Sequence, residues 1–155
     1  MLLVLGKSFF GGIEIVVMKT EIGRAELGRL VQEAIAIREK AYAPYSHFSV
    51  GAAVLDEEGR TFLGVNVENA AYPNGICAET AAIAAMVVGG GRKITAIAVV
   101  GGGADLCTPC GGCRQRIREF ATEETLLAVA GPEGLREVMM FTELLPKSFG
   151  PENLK

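Results

Sequence analysis

A short apolar segment enclosed by glycines constrains the fold of this chain more than any other feature. Residues Ile94–Val100 are apolar apart from Thr95, and the glycine triplets at 89–91 and 101–103 flank them. An apolar run of strand length between chain-breaking residues is typical of a strand that is buried on both faces of a sheet. The sequence therefore predicts an α/β fold with this strand inside the sheet.

The segments on either side supply alternating helices and strands. The predicted order is a helix from Leu27 to about Tyr42, strands at 48–55 and 61–67, a helix at 77–88, the strand at 94–100, a helix at 109–120, and strands at 126–130 and 138–141. The two strands at 48–67 read as a hairpin around a polar turn. This order predicts a three-layer α/β/α sandwich around a five-stranded mixed sheet.

Composition and charge exclude several classes of protein. The chain has 155 residues, of which 50% are hydrophobic and 21% charged, enough apolar material for one core. A net charge of −3 argues against a general nucleic-acid binder. No apolar run reaches the roughly 20 residues that span a bilayer, so we expect no membrane association.

The first 17 residues differ from the rest of the chain. We expect residues 1–17 to be an apolar N-terminal extension, ordered or disordered, ahead of a single domain at 18–155. No basic residues precede the apolar start, so the extension does not read as a signal peptide. Without a disulfide-rich pattern, the four cysteines indicate a reduced, cytoplasmic location.

Three of the cysteines lie at predicted helix starts. Cys77 follows the break at Pro73-Asn74-Gly75, while Cys110 and Cys113 share one face of the helix that Pro109 opens. Helix N-termini favour thiolates, and convergent thiolates form a soft-ligand zinc site. Three protein ligands leave the fourth position for water, as in catalytic zinc sites.

Glu79 lies two residues after Cys77, in the first turn of the same predicted helix. A carboxylate there can exchange protons with water at the metal without being a ligand. The combination Cys77-Ala78-Glu79 with Pro109-Cys110-Gly111-Gly112-Cys113 matches the signature of zinc deaminases, which pairs a ligand-x-Glu sequence with Pro-Cys-x-x-Cys.

Two alternatives use Cys107. It could complete a structural four-cysteine zinc site, or Cys107, Cys110 and Cys113 could bind an iron–sulfur cluster. Pro109 places Cys107 before the helix, and the position at which the iron–sulfur pattern requires a fourth cysteine is Ile117. Neither alternative explains Glu79, so Cys107 is interpreted as an ordinary buried thiol.

From about Ala41 to Leu154 the sequence resembles the small, homotetrameric, zinc-dependent cytidine deaminases. The resemblance rests on both zinc motifs and on the segments at 43–48, 50–53, 66–69, 108–115 and 144–152. It implies zinc held by Cys77, Cys110 and Cys113, and Glu79 as the catalytic proton carrier. It also implies a homotetramer that acts on a small nucleoside and not on a nucleic acid.

The resemblance further implies a set of substrate contacts. Asn66 and Glu68 would bind the ribose 3′-hydroxyl, and Phe48 would pack on the pyrimidine. The backbone of Ala78 and Thr108 would contact the polar edge of the base. Tyr72 and Phe149 would reach the site of a neighbouring subunit.

One position departs from the family pattern. Members with three cysteines usually have an arginine directly after the catalytic glutamate, where it hydrogen-bonds the thiolates, but this chain has Thr80. Three thiolates around Zn²⁺ leave a net negative centre. We hypothesise that helix N-termini or Arg114 compensate this charge.

The implied reaction is zinc-dependent hydrolysis of cytidine and 2′-deoxycytidine to uridine and 2′-deoxyuridine, with release of ammonia, in pyrimidine salvage. A related deaminase acting on another aminated pyrimidine nucleoside, such as blasticidin S, is the nearest alternative, but Glu68 favours an ordinary ribose. A polynucleotide-editing enzyme is disfavoured by the acidic charge. A non-catalytic protein with a structural metal site is the alternative from another class.

Overall fold

The computed structural model describes residues 6–10, 13–17 and 22–154. Its central feature is a mixed sheet of five strands: β3 (Gly51–Asp56), β4 (Thr61–Val65), β5 (Ile94–Val100), β6 (Ala121–Gly131) and β7 (Gly134–Met140). The spatial order is β4-β3-β5-β6-β7, in which β5 and β6 run parallel and the other neighbours antiparallel. The predicted five-stranded mixed sheet is confirmed.

β5 lies at the centre of the sheet and is buried on both faces, as its apolar sequence predicts. Successive side chains of a strand point to opposite faces. Ile97 and Val99 therefore join one core cluster, and Ala96 and Ala98 join the other.

Helices cover both faces of the sheet. Helix α1 (Arg24–Arg38) packs on one face through Leu27, Leu30, Val31 and Ala34. The other face carries α2 (Ala78–Val88), α3 (Gly111–Arg118) and the short α4 (Phe141–Leu144). The fold therefore has the three layers that the sequence predicts.

The ends of several elements differ from the prediction. Helix α1 ends at Arg38 and not near Tyr42, because the Tyr42 N–H donates to the Asn66 carbonyl at 3.0 Å outside the helix. Strand β6 begins at Ala121 and not at 126, since its first part carries exposed polar residues that conceal it in the sequence. Strand β7 begins at Gly134 and not at 138, and all of its residues are only half-buried.

The N-terminal extension contains two described strands. β1 (Gly6–Phe10) and β2 (Ile13–Val17) pair antiparallel as a sheet of their own. Residues 1–5 and 11–12 of the extension lie outside the described residues, as do 18–21 at the predicted domain start. The domain boundary at residue 17 stays a prediction. Within the described residues, every helix is too short or too polar to span a bilayer.

A glycine of β4 brings α2 close to the sheet. A Cβ atom at Gly64 would lie 2.3 Å from both the Ala78 carbonyl oxygen and the Ala82 nitrogen. Such contacts with backbone cannot be relieved by turning a side chain. Gly64 thus allows the first turn of α2, which contains Glu79, to pack closely against the sheet.

We predict that Gly64→Ala lowers the free energy of unfolding by about 3 kcal/mol, because the added methyl group displaces α2 from β4. Denaturant unfolding followed by circular dichroism measures the difference. Gly23→Ala is the matched control, since a Cβ there meets nothing within 4 Å. Equal unfolding midpoints for the two variants would refute the close-approach argument.

Candidate active site

Two helices begin at the same place and bring three cysteines together. Cys77 is the N-cap of α2 and Cys110 the N-cap of α3, while Cys113 lies in the first turn of α3. The Cys77 and Cys110 sulfurs are 3.9 Å apart. All three sulfurs lie within 4.8 Å of one another. The predicted convergence of the three thiols is confirmed.

The spacing of the sulfurs fits zinc. Tetrahedral Zn²⁺ with Zn–S bonds of about 2.3 Å holds its sulfur ligands about 3.8 Å apart. The 3.9 Å between Cys77 and Cys110 is close to this value. A small inward movement of side chains would bring the remaining sulfurs to the same separation.

The chemistry of the donor set also calls for a cation. Burial raises the pKa of the Cys77 and Cys113 thiols, and the charge of Glu79 raises both further. The backbone N–H of Cys113 lowers the pKa of Cys110. Three adjacent thiolates therefore need a metal ion among them to remain ionised together.

Cys107 does not belong to this cluster. Within the described part of the chain, the group of mutually close ligand atoms consists of Cys77, Cys110 and Cys113. The Cys107 side chain is half-buried against Gly101, and burial raises its pKa. This geometry disfavours the four-cysteine and iron–sulfur alternatives.

Thr80 contacts the cluster, whereas Arg114 does not. The Thr80 hydroxyl lies 3.8 Å from the Cys113 sulfur, within reach of a hydrogen bond to sulfur. The Arg114 guanidinium donates to the carbonyl oxygens of Pro109 and Leu144 and to the Thr108 hydroxyl. The structure thus gives no direct contact by which Arg114 could compensate the thiolates, and the helix N-termini and Thr80 are the groups that face them.

Glu79 is a buried carboxylate that opens onto a cavity. Glu79 is only 4% exposed. Its carboxylate forms no ion pair among the described residues. Burial raises the pKa of its carboxyl group. The other buried carboxylate, Asp56, has a structural partner, because Arg60 approaches it at 2.7 Å. A buried acid without such a partner beside a metal cluster is a candidate for catalysis.

The cavity has a volume of about 580 Å³, in the range typical of small-molecule sites. Of the predicted site residues, eight line it: Asn66, Glu68, Tyr72, Cys77, Ala78, Glu79, Thr108 and Cys110. No lysine, arginine or histidine is among the lining residues in the described part of the chain. The cavity is therefore suited to a neutral ligand.

Asn66 and Glu68 form one wall of the cavity and hold the loop that faces them. The Asn66 side chain donates to the Phe48 carbonyl at 2.9 Å and accepts from the Val50 N–H at 2.8 Å. Glu68 accepts from the Ser46 hydroxyl and from the Tyr45 N–H, which keep its pKa below the ordinary value. Glu68 is thus ionised at neutral pH.

Two predicted substrate contacts lie away from the cavity lining in this single chain. The Phe48 ring packs towards Gly101 and Gly103, and a Cβ at Gly101 would lie 3.1 Å from it. Phe149 is 59% exposed in the C-terminal segment. Tyr72, by contrast, lines the mouth of the cavity although it is 77% exposed. The roles of these aromatic residues stay predictions.

Several lining residues were not expected from the sequence. Tyr45 packs edge-on against Tyr72 with ring centroids 6.0 Å apart, and Ile76 and Val67 add apolar surface. Ile76 and Val67 pair as an isolated β-bridge. The sequence alone does not distinguish an apolar loop residue that lines a cavity from one that packs in the core.

The cysteine–glutamate and Pro-Cys-x-x-Cys sequences meet at one cavity of a three-layer α/β fold, which defines the class of zinc-dependent deaminases. The comparisons with known proteins agree. Residues 25–129 match the family model described as the cytidine and deoxycytidylate deaminase zinc-binding region. The chain belongs to the cytidine deaminase family.

Individual relatives cover most of the chain. The cytidine deaminase of Halalkalibacterium halodurans is 40% identical over 125 residues, which is 81% of this chain and 95% of that protein. The cytidine deaminase of Mycobacterium tuberculosis is 41% identical over 114 residues, which is 74% of this chain and 82% of that protein. The crystal structure of the Burkholderia pseudomallei cytidine deaminase superposes with a TM-score of 0.74 at 39% identity and covers 83% of this chain and 100% of that one.

We predict that replacing any one of the three clustered cysteines by serine lowers the zinc content from about one ion per chain to well below half. Each substitution removes a thiolate from a three-ligand site. Cys107→Ser is the matched control and should keep its zinc. Metal analysis of the purified variants measures this, and loss of zinc from Cys107→Ser would restore the four-cysteine alternative.

Proposed function

We propose that this protein hydrolyses cytidine and 2′-deoxycytidine to uridine and 2′-deoxyuridine with release of ammonia, using one zinc ion per chain. The observation that carries the proposal is the buried Glu79 carboxylate at the cavity, next to Cys77 and Cys110. The family matches above support the same reaction.

The ligands and the acid divide the chemistry between them. Cys77, Cys110 and Cys113 would hold zinc, which supplies an activated water for attack at C4 of the pyrimidine. Glu79 would carry the two protons of the water in turn: the first to N3 as the water adds to C4, and the second, from the added hydroxyl, to the amine that leaves as ammonia. Its burial keeps bulk water from competing for these protons.

Binding of the nucleoside uses the remaining lining residues. The backbone groups of Ala78 and Thr108 would contact the polar edge of the base. Glu68 would accept a hydrogen bond from the ribose 3′-hydroxyl and the Asn66 amide would donate one to it, and Phe48 would pack on the pyrimidine after a movement towards the cavity. The family resemblance supports these roles, and so does the place of Asn66, Glu68, Ala78 and Thr108 in the cavity lining.

The charge of the cavity favours a nucleoside over a nucleotide. Its charged lining residues are the two carboxylates Glu68 and Glu79, and no lysine, arginine or histidine is among the described residues that line it. A 5′-phosphate would enter this negative field without an arginine or lysine to bind it. The substrate is therefore the uncharged nucleoside.

The test is a panel of substrates followed by the loss of cytidine absorbance near 280 nm. We predict turnover of cytidine and 2′-deoxycytidine, and a kcat/KM at least about a hundredfold lower for the 5′-monophosphates, since each unpaired buried charge costs several kcal/mol. Glu79→Gln keeps the shape of the side chain and should lower kcat by about 10² to 10⁴ with zinc retained. Turnover of the monophosphates alone, or an active Glu79→Gln enzyme, would contradict the proposal.

We further propose a homotetramer in which neighbouring chains complete each cavity. The exposed Tyr72 at the cavity mouth and the exposed Phe149 are large apolar groups that a neighbour would cover. The cavity is also open on this side, bordered by the exposed Tyr45 and Ile76. The family resemblance supports the same assembly.

A shared site predicts complementation between two inactive variants. Phe149→Ala lacks the group that is donated, and Glu79→Gln lacks the acid at its own site. Co-expressed hybrids should regain activity, because a chain with intact Glu79 can receive an intact Phe149 from its neighbour. Light scattering should give four times the 16.3 kDa chain. No regain of activity in confirmed hybrids would exclude the shared site.

Free thiol ligands also bear on location. The four cysteines are all unpaired. Thiolate zinc ligands persist in a reducing compartment. We therefore propose that the enzyme acts in the cytoplasm, in the salvage of pyrimidine nucleosides.

A further inference from the structure

Arg114 makes three hydrogen bonds to two separate parts of the chain. Its Nε donates to the Pro109 carbonyl at 2.8 Å, and one terminal nitrogen donates to the Thr108 hydroxyl at 3.3 Å. The other terminal nitrogen donates to the Leu144 carbonyl at 3.1 Å. The side chain is partly buried between the two acceptor segments.

The first of these segments belongs to the active site. Thr108 lines the cavity and Pro109 directly precedes the ligand Cys110. The loop from Leu106 to Cys110 has little regular structure of its own, and the Thr108 N–H donates only to Leu106. Arg114 is therefore a main side-chain restraint on the position of Thr108 and Pro109.

The second segment is a fixed support. Leu144 is the last residue of α4, which packs its Phe141 into the core. The chain beyond it is held along α3, because Gln115 donates to the Phe149 carbonyl at 3.1 Å and Arg118 donates to the Ser148 hydroxyl at 2.8 Å. Through Arg114 the loop before Cys110 is tied to this support.

The geometry of these bonds requires a guanidinium. An arginine presents several N–H groups in one plane and can reach acceptors on different sides, whereas a lysine is a single point charge. None of the bonds of Arg114 in the described structure reaches a sulfur. Its role therefore depends on the shape of the group and not on its charge alone.

We propose that Arg114 is a positioning residue that holds the Thr108–Cys110 loop in place for both the pyrimidine base and the zinc ligand. Loss of the bonds would release Thr108 from its place in the cavity and leave Cys110 less ordered for metal binding. The expected changes in KM and kcat rest on the proposed function, whereas the expected change in zinc release does not.

The experiment compares Arg114→Lys and Arg114→Gln with Arg29→Gln, each as purified zinc-loaded protein. Arg29 is the matched control, since it lies on α1 with its side chain 55% exposed and pairs only with Glu26 and Glu33. The measurements are KM and kcat for cytidine, the rate of zinc release to a chelating dye, and the thermal unfolding midpoint.

We expect both Arg114 variants, the lysine included, to raise KM about tenfold, by more than kcat falls, and to release zinc about tenfold faster. This is the usual size of effect for groups that orient metal ligands. Arg29→Gln should match the unsubstituted protein in all three measurements. If Arg114→Gln does not fold, the KM and zinc-release rate of Arg114→Lys test the proposal by themselves.

Three results would overturn the proposal. Arg114→Lys could match the unsubstituted protein while Arg114→Gln does not, which would assign the role to charge. Both variants could unfold at lower temperature with KM and zinc release unchanged, which would leave a purely structural role. Both variants could match the unsubstituted protein throughout. If the unsubstituted protein does not deaminate cytidine, the proposed function fails, and zinc release still tests the positioning role separately.

Discussion

Helices α2 and α3 start side by side, and the chemistry of this protein depends on that coincidence. Each helix has a cysteine as its N-cap, so the two starts bring the sulfurs of Cys77 and Cys110 to 3.9 Å. At the start of α3 the backbone N–H of Cys113 favours the ionised Cys110, as helix N-termini do for thiols. The central strand β5 makes the arrangement possible, because its buried residues support the helix layer from below.

The same arrangement explains how a carboxylate can remain buried. Glu79 lies in the first turn of α2, and Gly64 lets that turn approach the sheet closely. Asp56 is buried as well, but Arg60 neutralises it and its role is structural. Glu79 has no comparable ion-pair partner in the described structure. An unpaired buried carboxylate lowers the stability of the fold, and such a cost is typical of a residue kept for catalysis.

The sequence predicted the layers, the sheet and the convergence of the three cysteines, because each left a local signal such as a buried apolar run or a helix start. It did not predict the end of α1, where the Tyr42 N–H bonds outside the helix, or the early start of β6, whose first part carries exposed polar residues. The hypothesis that Arg114 neutralises the thiolates was not supported by its contacts. Its acceptors are the Pro109 carbonyl and the Thr108 hydroxyl, five and six residues away, and the Leu144 carbonyl, 30 residues away. No residue pattern reveals such partners.

The central claim is that three sulfurs hold one zinc ion and leave one position open beside Glu79. X-ray absorption at the zinc edge of the purified protein counts the atoms bound to the metal directly. The account predicts three sulfurs at about 2.3 Å and one oxygen or nitrogen at about 2.0 Å. A shell of four sulfurs, or a protein that binds no zinc, would contradict it.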